Sequence, residues 1–320
     1  MNSQQNLGPN ANMQSAQGQN LGANMHNYNA QFNLQQMQNM RAQQFDNSQL
    51  QMQQQIQQQN AQGQILQNEE RAMRDNEKQI YTYESDWIIY ALGFSWRECS
   101  DFRLAIGSLK EDLANEIRII KLNEYSDQDF VALTNFDHQF PATKLLWIPH
   151  KSASNPDILA TTSDYLRVWE VDSANNRVNL KSELKDASQQ FCAPLTSFDW
   201  NQADPSVIGV CSLDTTCTIW DIGKESIKAQ LIAHDKEVFD IGFQDVNVFA
   251  TVGADGSMRM FDLRSLEHST ILYETNSNNE ESKPLLRLEW NNQDSSYIAT
   301  FEPDSKKIFI LDIRVPMLPV

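Results

Sequence analysis

The chain has 320 residues, 42 acidic and 25 basic side chains, and a formal net charge of −17. Residues 1–68 hold only Arg41 and Asp46, which cancel, so the whole excess lies in residues 69–320. That balance argues against a nucleic-acid surface, which needs clustered Lys and Arg, and no apolar run approaches the roughly 20 residues of a membrane-crossing helix.

The chain opens without a basic n-region and apolar h-region, so no secretory signal is read. Cys99, Cys192, Cys211 and Cys217 are few and irregularly spaced. They fit small core hydrophobes in a reducing, intracellular compartment better than a disulfide framework.

About half of residues 1–70 are Gln or Asn, most densely over 51–60. Such a segment has too few large apolar groups to offset the entropy of ordering. Residues 1–78 therefore read as a low-complexity tail. Three forms are open to it: a disordered tail, a partly helical segment over 31–78, or a surface for self-association through amide ladders. Residues 69–78 are charged and helix-favouring, and link the tail to the strand-rich remainder of the chain.

From about residue 79 the pattern becomes short β-like runs between turn residues: 88–94, 102–106, 117–122, 158–162, 166–171 and 207–210. No amphipathic helix interrupts them. The expected class is all-β: a sandwich, a barrel or a propeller.

A repeat selects among these. An aromatic ends the first strand of each unit: Trp96, Trp147, Trp200, Phe243 and Trp290, separated by 51, 53, 43 and 47 residues. A second landmark ends the third strand: Trp169-Glu170, Trp220-Asp221, Phe261-Asp262 and Leu311-Asp312. Four strands per 40 to 50 residues with a Trp-Asp signature mark a WD-repeat β-propeller. Each unit is one twisted sheet that buries itself only by stacking on its neighbours.

In such a repeat a loop His, a second-strand Ser or Thr, a turn Asp and a third-strand Trp form one hydrogen-bonded set. His138 and His234 each lie nine residues before the next landmark. His138 is expected to pair with Asp164, near Thr162 and Trp169. His234 is expected to pair with Asp255, with Phe261 in place of the Trp. The third unit keeps Ser212, Asp214 and Trp220 but has Phe191 at the His position. These sets read as structural. No Ser or Cys nucleophile is tied to either His, so no catalytic, cofactor or metal residue is assigned.

Several phrases then resemble one family: Phe94-Ser95-Trp96, Lys144-Leu145-Leu146-Trp147, Tyr165-Leu166-Arg167-Val168-Trp169, Thr196-Ser197-Phe198-Asp199-Trp200, and the stretches 214–220, 231–243 and 252–273. Together, over about residues 80–316, they resemble the Transparent Testa Glabra / anthocyanin-type WD-repeat adaptors. The animal relatives of that family are the DDB- and cullin-associated factors that bind dual-specificity tyrosine-regulated kinases. The resemblance implies a non-enzymatic scaffold in nucleus and cytoplasm. Its implied partners are kinases, or transcription regulators of the Myb or basic helix-loop-helix type, with no direct nucleic-acid or membrane contact.

An alternative is a substrate receptor of a cullin-type ubiquitin ligase. Related propellers dock the ligase through a Trp-Asp-x-Arg ending. Here Asp262, Arg264, Asp312 and Arg314 keep Asp-x-Arg twice without the Trp, and the competing reading is a local ion pair at a strand end. Asp235, Lys236 and Glu237 form a candidate partner loop. A further alternative is assembly driven by the tail.

The family builds seven blades, whereas this chain encodes five: about 79–141, 142–188, 189–235, 236–283 and 284–320. A shortened gene product, a five-blade ring and an open arc completed by a partner are all open. In a closed five-blade ring, residues 79–84 would complete the fifth sheet.

Overall fold

A computed structural model describes residues 80–97, 102–111, 114–123, 128–150, 156–172, 174–186, 193–275 and 282–319. The expectations for the Gln/Asn-rich tail, and for Cys99, Phe191 and Cys192, lie outside these residues. The chain divides into Met1–Ile80 and Tyr81–Val320, and every described strand belongs to the second unit.

That unit is a succession of antiparallel sheets. The first holds β1 (Ile88–Phe94), β2 (Arg103–Leu109), β3 (Asn115–Leu122) and β4 (Phe130–His138). The second holds β5 (Lys144–Trp147), β6 (Ile158–Thr162), β7 (Leu166–Asp172) and β8 (Arg177–Leu184). The third holds β9 (Leu195–Trp200), β10 (Val207–Ser212), β11 (Thr216–Asp221) and β12 (Ser226–Ile232). The fourth holds β13 (Val238–Phe243), β14 (Val248–Gly253), β15 (Ser257–Asp262) and β16 (Ser269–Glu274). The fifth holds three described strands, β17 (Arg287–Trp290), β18 (Tyr297–Phe301) and β19 (Phe309–Asp312). Within each sheet, strands pair in chain order. Among the described residues there is no helix. This is the WD-repeat propeller architecture: one meander per blade.

The first strands of consecutive blades lie side by side, β1 by β5, β5 by β9, β9 by β13 and β13 by β17. Each sheet therefore buries both faces wherever a neighbour flanks it. Every residue of β10 is buried, as is every residue of β6. The outermost strands instead keep an exposed side, as in β12 and β16. Separate apolar clusters fill the spaces between blades. One joins Ala91 and Ile119 of the first sheet to Leu145, Trp147 and Trp169 of the second. Another joins Ile219 of the third to Ile241 and Phe249 of the fourth. Burial of side chains as large as Trp147, Phe198 and Phe249 stabilises each contact by about 1.5–3 kcal/mol per residue.

Two indole N–H groups tie blades together directly. Trp147 Nε1 donates to the Gly93 carbonyl at 3.0 Å, and Trp290 Nε1 donates to the Gly242 carbonyl at 3.0 Å. A Cβ on Gly93 would stand 2.6 Å from the Leu145 carbonyl oxygen, so only glycine lets the second blade approach this closely.

The structure corrects two expectations. The first-strand landmark of the first blade is Phe94, not Trp96. Phe94 pairs with Leu104 as Trp147 pairs with Leu159 and Trp290 with Ile298. Trp96 lies beyond the strand and is exposed. Residues 80–84 do not add to the fifth sheet. Thr82 N donates to Asp129 Oδ2 at 2.7 Å and Tyr83 meets Phe130 edge to face. With Trp87, Tyr83 covers Leu104, Ile106 and Ile120 on the first blade's outer face.

Candidate protein interaction site

Antiparallel order sorts the connections into two ends. The turns between second and third strands share one end with the connections from one blade to the next. The turns closing first and third strands share the other. The residues singled out from the sequence divide between these ends.

At the first end, the fourth blade assembles His234, Asp255 and Ser257. The carboxylate of Asp255 accepts from His234 Nδ1 at 2.9 Å and from the Ser257 N–H at 3.0 Å. His234 Nε2 lies 2.7 Å from Thr251 Oγ1. Arg259 Nη2 adds an ion pair at 3.1 Å and reaches Asp235 at 2.7 Å. Burial raises the Asp255 carboxyl, but the His234 bond and charge and the Ser257 bonds outweigh it, holding the group well below the usual carboxylate range.

The second blade is wired differently, and the expected His138–Asp164 pair does not form. Asp164 is held by Arg167, with Nη1 at 2.6 Å and Nη2 at 3.1 Å. Burial raises the Asp164 carboxyl, and this fork with the Ser163 hydroxyl brings it below the usual range. His138 instead approaches the Phe140 carbonyl through Nδ1 and Thr161 Oγ1 through Nε2, the latter at 3.1 Å. Thr161, rather than Thr162, also accepts from Trp169 Nε1 at 2.9 Å. An indole only donates and a carbonyl only accepts, so with a neutral imidazole the direction is fixed. Trp169 donates to Thr161, Thr161 to His138 Nε2, and His138 Nδ1–H to Phe140. Burial pushes the imidazole below its usual value, and the Arg167 charge adds to this against the Phe140 carbonyl. It is therefore neutral at pH 7.

In the third blade the position matching Thr161 and Thr251 is Val210, not Ser212, by pairing of Ile208 with Trp200. Ser212 Oγ donates to the Pro194 carbonyl at 3.1 Å, and Asp214 Oδ1 caps the turn through Thr216 N at 3.0 Å. Trp220 is buried in the apolar cluster between second and third blades.

At the opposite end the third strands of the third, fourth and fifth blades close on an aspartate. Asp221 Oδ1 accepts from Gly223 N at 3.1 Å, Asp262 Oδ1 from Arg264 N at 2.9 Å, and Asp312 Oδ1 from Arg314 N at 3.0 Å. In the second blade Glu170 holds the paired position, and Asp172 takes over the turn, accepting from Ala174 N at 3.1 Å. Arg264 pairs with Asp262 at 2.5 Å and Arg314 with Asp312 at 2.6 Å. The Arg264 bond holds the Asp262 carboxyl down to about 2. Both arginine side chains stay more than half exposed, at 69% and 59%. Arg314 also lies over the Tyr297 ring.

Along the inner strands lies a set that the sequence alone did not single out. Lys144, Ser197, Asp240 and Arg287 each stand three residues before their blade's aromatic landmark, a register visible once the repeats are aligned. Asp240 is buried, accepts from Ser197 Oγ at 2.5 Å and from Leu288 N at 3.1 Å, and lies 3.5 Å from Lys144 Nζ. Asp199 Oδ2 accepts from Phe243 N at 2.8 Å. Burial pushes the Asp199 carboxyl up to about 6, with Lys144 opposing. Asp235, Lys236 and Glu237 are exposed, Asp235 being braced by Arg259. Among the described residues no cluster of three or more His, Cys, Asp or Glu is placed to hold a metal, and no helix is long and apolar enough to cross a membrane.

Sheets of this order, with His, Thr and Asp sets behind their turns, define a WD-repeat β-propeller protein. No family model matches the chain. It is 57% identical over 243 residues to the DDB1- and CUL4-associated factor 7 homolog of Dictyostelium discoideum, covering 76% of this chain and 73% of that protein. An uncharacterised WD repeat-containing protein of Schizosaccharomyces pombe is 42% identical over 268 residues, covering 75% of this chain and 60% of the relative. A WD repeat-containing protein of Saccharomyces cerevisiae is 37% identical over 274 residues, covering 75% and 51%. The chain thus spans between half and three quarters of these relatives. It belongs to the WD-repeat family of DDB1- and CUL4-associated factor 7.

Proposed function

We propose that the chain is a non-enzymatic WD-repeat scaffold that assembles protein kinases and transcription regulators of the Myb or basic helix-loop-helix type. The observation that carries this reading is the 57% identity to a protein whose name makes it an associated factor. The polar side chains behind the turns support it, because they are committed to one another: Thr161, Thr251 and Ser257, the hydroxyls bonded to the two imidazoles, are buried and hold the loops. The resemblance to Transparent Testa Glabra-type adaptors belongs to the same proposal, as does work in both nucleus and cytoplasm. Affinity capture of the full chain with mass spectrometry tests it. Recovery of kinases or such regulators is expected, and their absence overturns the reading.

A second reading, a cullin-type ligase receptor, is favoured by one observation. Arg264 and Arg314 stand exposed at the same end of adjacent blades. Arg264→Ala with Arg314→Ala is expected to abolish capture of a DDB1-type adaptor while sparing kinases. Unchanged adaptor capture removes this reading. Assembly driven by residues 1–78 predicts that deleting them changes the partner set.

A further inference from the structure

At the end of the unit that carries His138 and His234, all five blades line one cavity of about 380 Å³. The volume lies within the range that admits a peptide side chain with its flanking backbone. Its wall is apolar and partly aromatic: Tyr90, Pro194, Leu213, Phe239 and Phe301 face it. Tyr90 is 53% exposed and Leu213 42%, so both stand open to a ligand. Among the described residues no carboxylate lines it, although the protein carries a net charge of −17.

Among the described residues the one charged group in the wall is Arg287. Its Nη1 donates to the Phe239 carbonyl at 2.9 Å and to the Leu286 carbonyl at 3.1 Å. These bonds fix the plane of the guanidinium. Among the described residues its Nε and Nη2 have no acceptor, and no carboxylate lies within 4.0 Å. Arg103, Arg118, Arg167, Arg259, Arg264 and Arg314 each have such a carboxylate. The free edge, Nε with Nη2, is the edge that meets a carboxylate in a two-pronged bond.

We propose that this cavity binds an extended acidic segment of a partner protein. An apolar side chain enters between Tyr90, Leu213 and Phe301, and the neighbouring carboxylate pairs with Arg287. The proposal rests on the scaffold reading above and gives that scaffold a peptide class to select. A basic segment is rejected here, because the wall offers it a cation and no anion.

Fluorescence anisotropy on the full chain tests this with two labelled peptides, Gly-Ser-Phe-Asp-Phe-Asp-Ser-Gly and the same peptide with Asn for Asp. The acidic peptide is expected to bind, and the Asn peptide to bind about tenfold or more weakly. Arg287→Ala is expected to weaken the acidic peptide by a similar factor and the Asn peptide much less, which is the coupling a direct pair requires. Leu213→Glu, at an exposed turn, places a like charge in the wall and is expected to weaken the acidic peptide without disturbing the fold. Arg264→Ala, at the opposite end, is expected to leave binding unchanged. No binding of the acidic peptide, or equal binding by the Arg287→Ala and Leu213→Glu variants, overturns the proposal. If affinity capture still recovers regulators while the peptide does not bind, the cavity assignment falls and the scaffold stands. If neither is seen, the scaffold reading falls too.

Discussion

Thr215 holds φ at 75° where Gly256 holds 76° in the matching turn of the next blade. A β-branched residue in this region is strained, whereas glycine is not. Thr215→Gly is therefore expected to raise stability by about 0.5–1 kcal/mol, read from the urea midpoint at unchanged slope. Gly256→Ala goes the other way. Its Cβ would stand 2.3 Å from Thr275 Oγ1 and 2.6 Å from the Lys283 carbonyl. A loss of about 2 kcal/mol or more is expected in the same measurement. Asp255 sets an acid limit. Its carboxyl is depressed in the folded state, so the stability it adds is complete above the usual value of 3.8 and is lost as pH falls toward the folded value. Asp255→Asn is expected to be less stable than the parent at pH 7. The gap should begin to narrow below about pH 4 and shrink further as pH falls, in unfolding curves taken across pH.

The blades lean on bonds that no single sheet contains. Trp147 and Trp290 donate across to Gly93 and Gly242, whereas Trp200 donates to Pro205 in its own blade. Trp290→Phe keeps most of the apolar contact but strands the Gly242 carbonyl. It is expected to cost about 1–3 kcal/mol in chemical denaturation, and a loss under about 0.3 kcal/mol would remove the bond's role. Much of this level was legible in the sequence. Runs 88–94 and 158–162 coincide with β1 and β6, because alternating or fully apolar runs between turn residues admit few other structures. Registration was harder. Trp96 looked like the landmark because tryptophan spells it elsewhere, but pairing with Leu104 selects Phe94. Ser212 looked like the partner hydroxyl, but Val210 holds the position. Asp164 looked like the acceptor for His138, yet Arg167, two residues before Trp169, takes it. A competing guanidinium four positions from Ser163 is present in the sequence, but which partner wins is decided by distance alone.

At the scale of the whole unit, and among the described residues, neighbouring blades cover most faces but leave apolar side chains of the first and fifth blades exposed. Tyr90, Leu92 and Phe94 stay exposed on β1, as do Phe301, Ile308 and Ile310 around β18 and β19. Apolar surface of this extent favours association. The full chain is expected to show concentration-dependent self-association in sedimentation velocity, reduced by Leu92→Ser with Ile310→Ser. Sedimentation unchanged by these substitutions would mean that the two faces do not drive it.

A stack of sheets that touch only in sequence would melt like a row of dominoes, each blade free to peel from an end. Asp240 works against this. Its carboxylate reaches Lys144 two blades back, Ser197 one blade back and the Leu288 amide one blade ahead. It acts as a clasp that closes over several pages at once. Amide exchange with deuterium should therefore show the inner strands of these four blades opening together. Asp240→Asn should break that shared event into separate openings with different exchange rates.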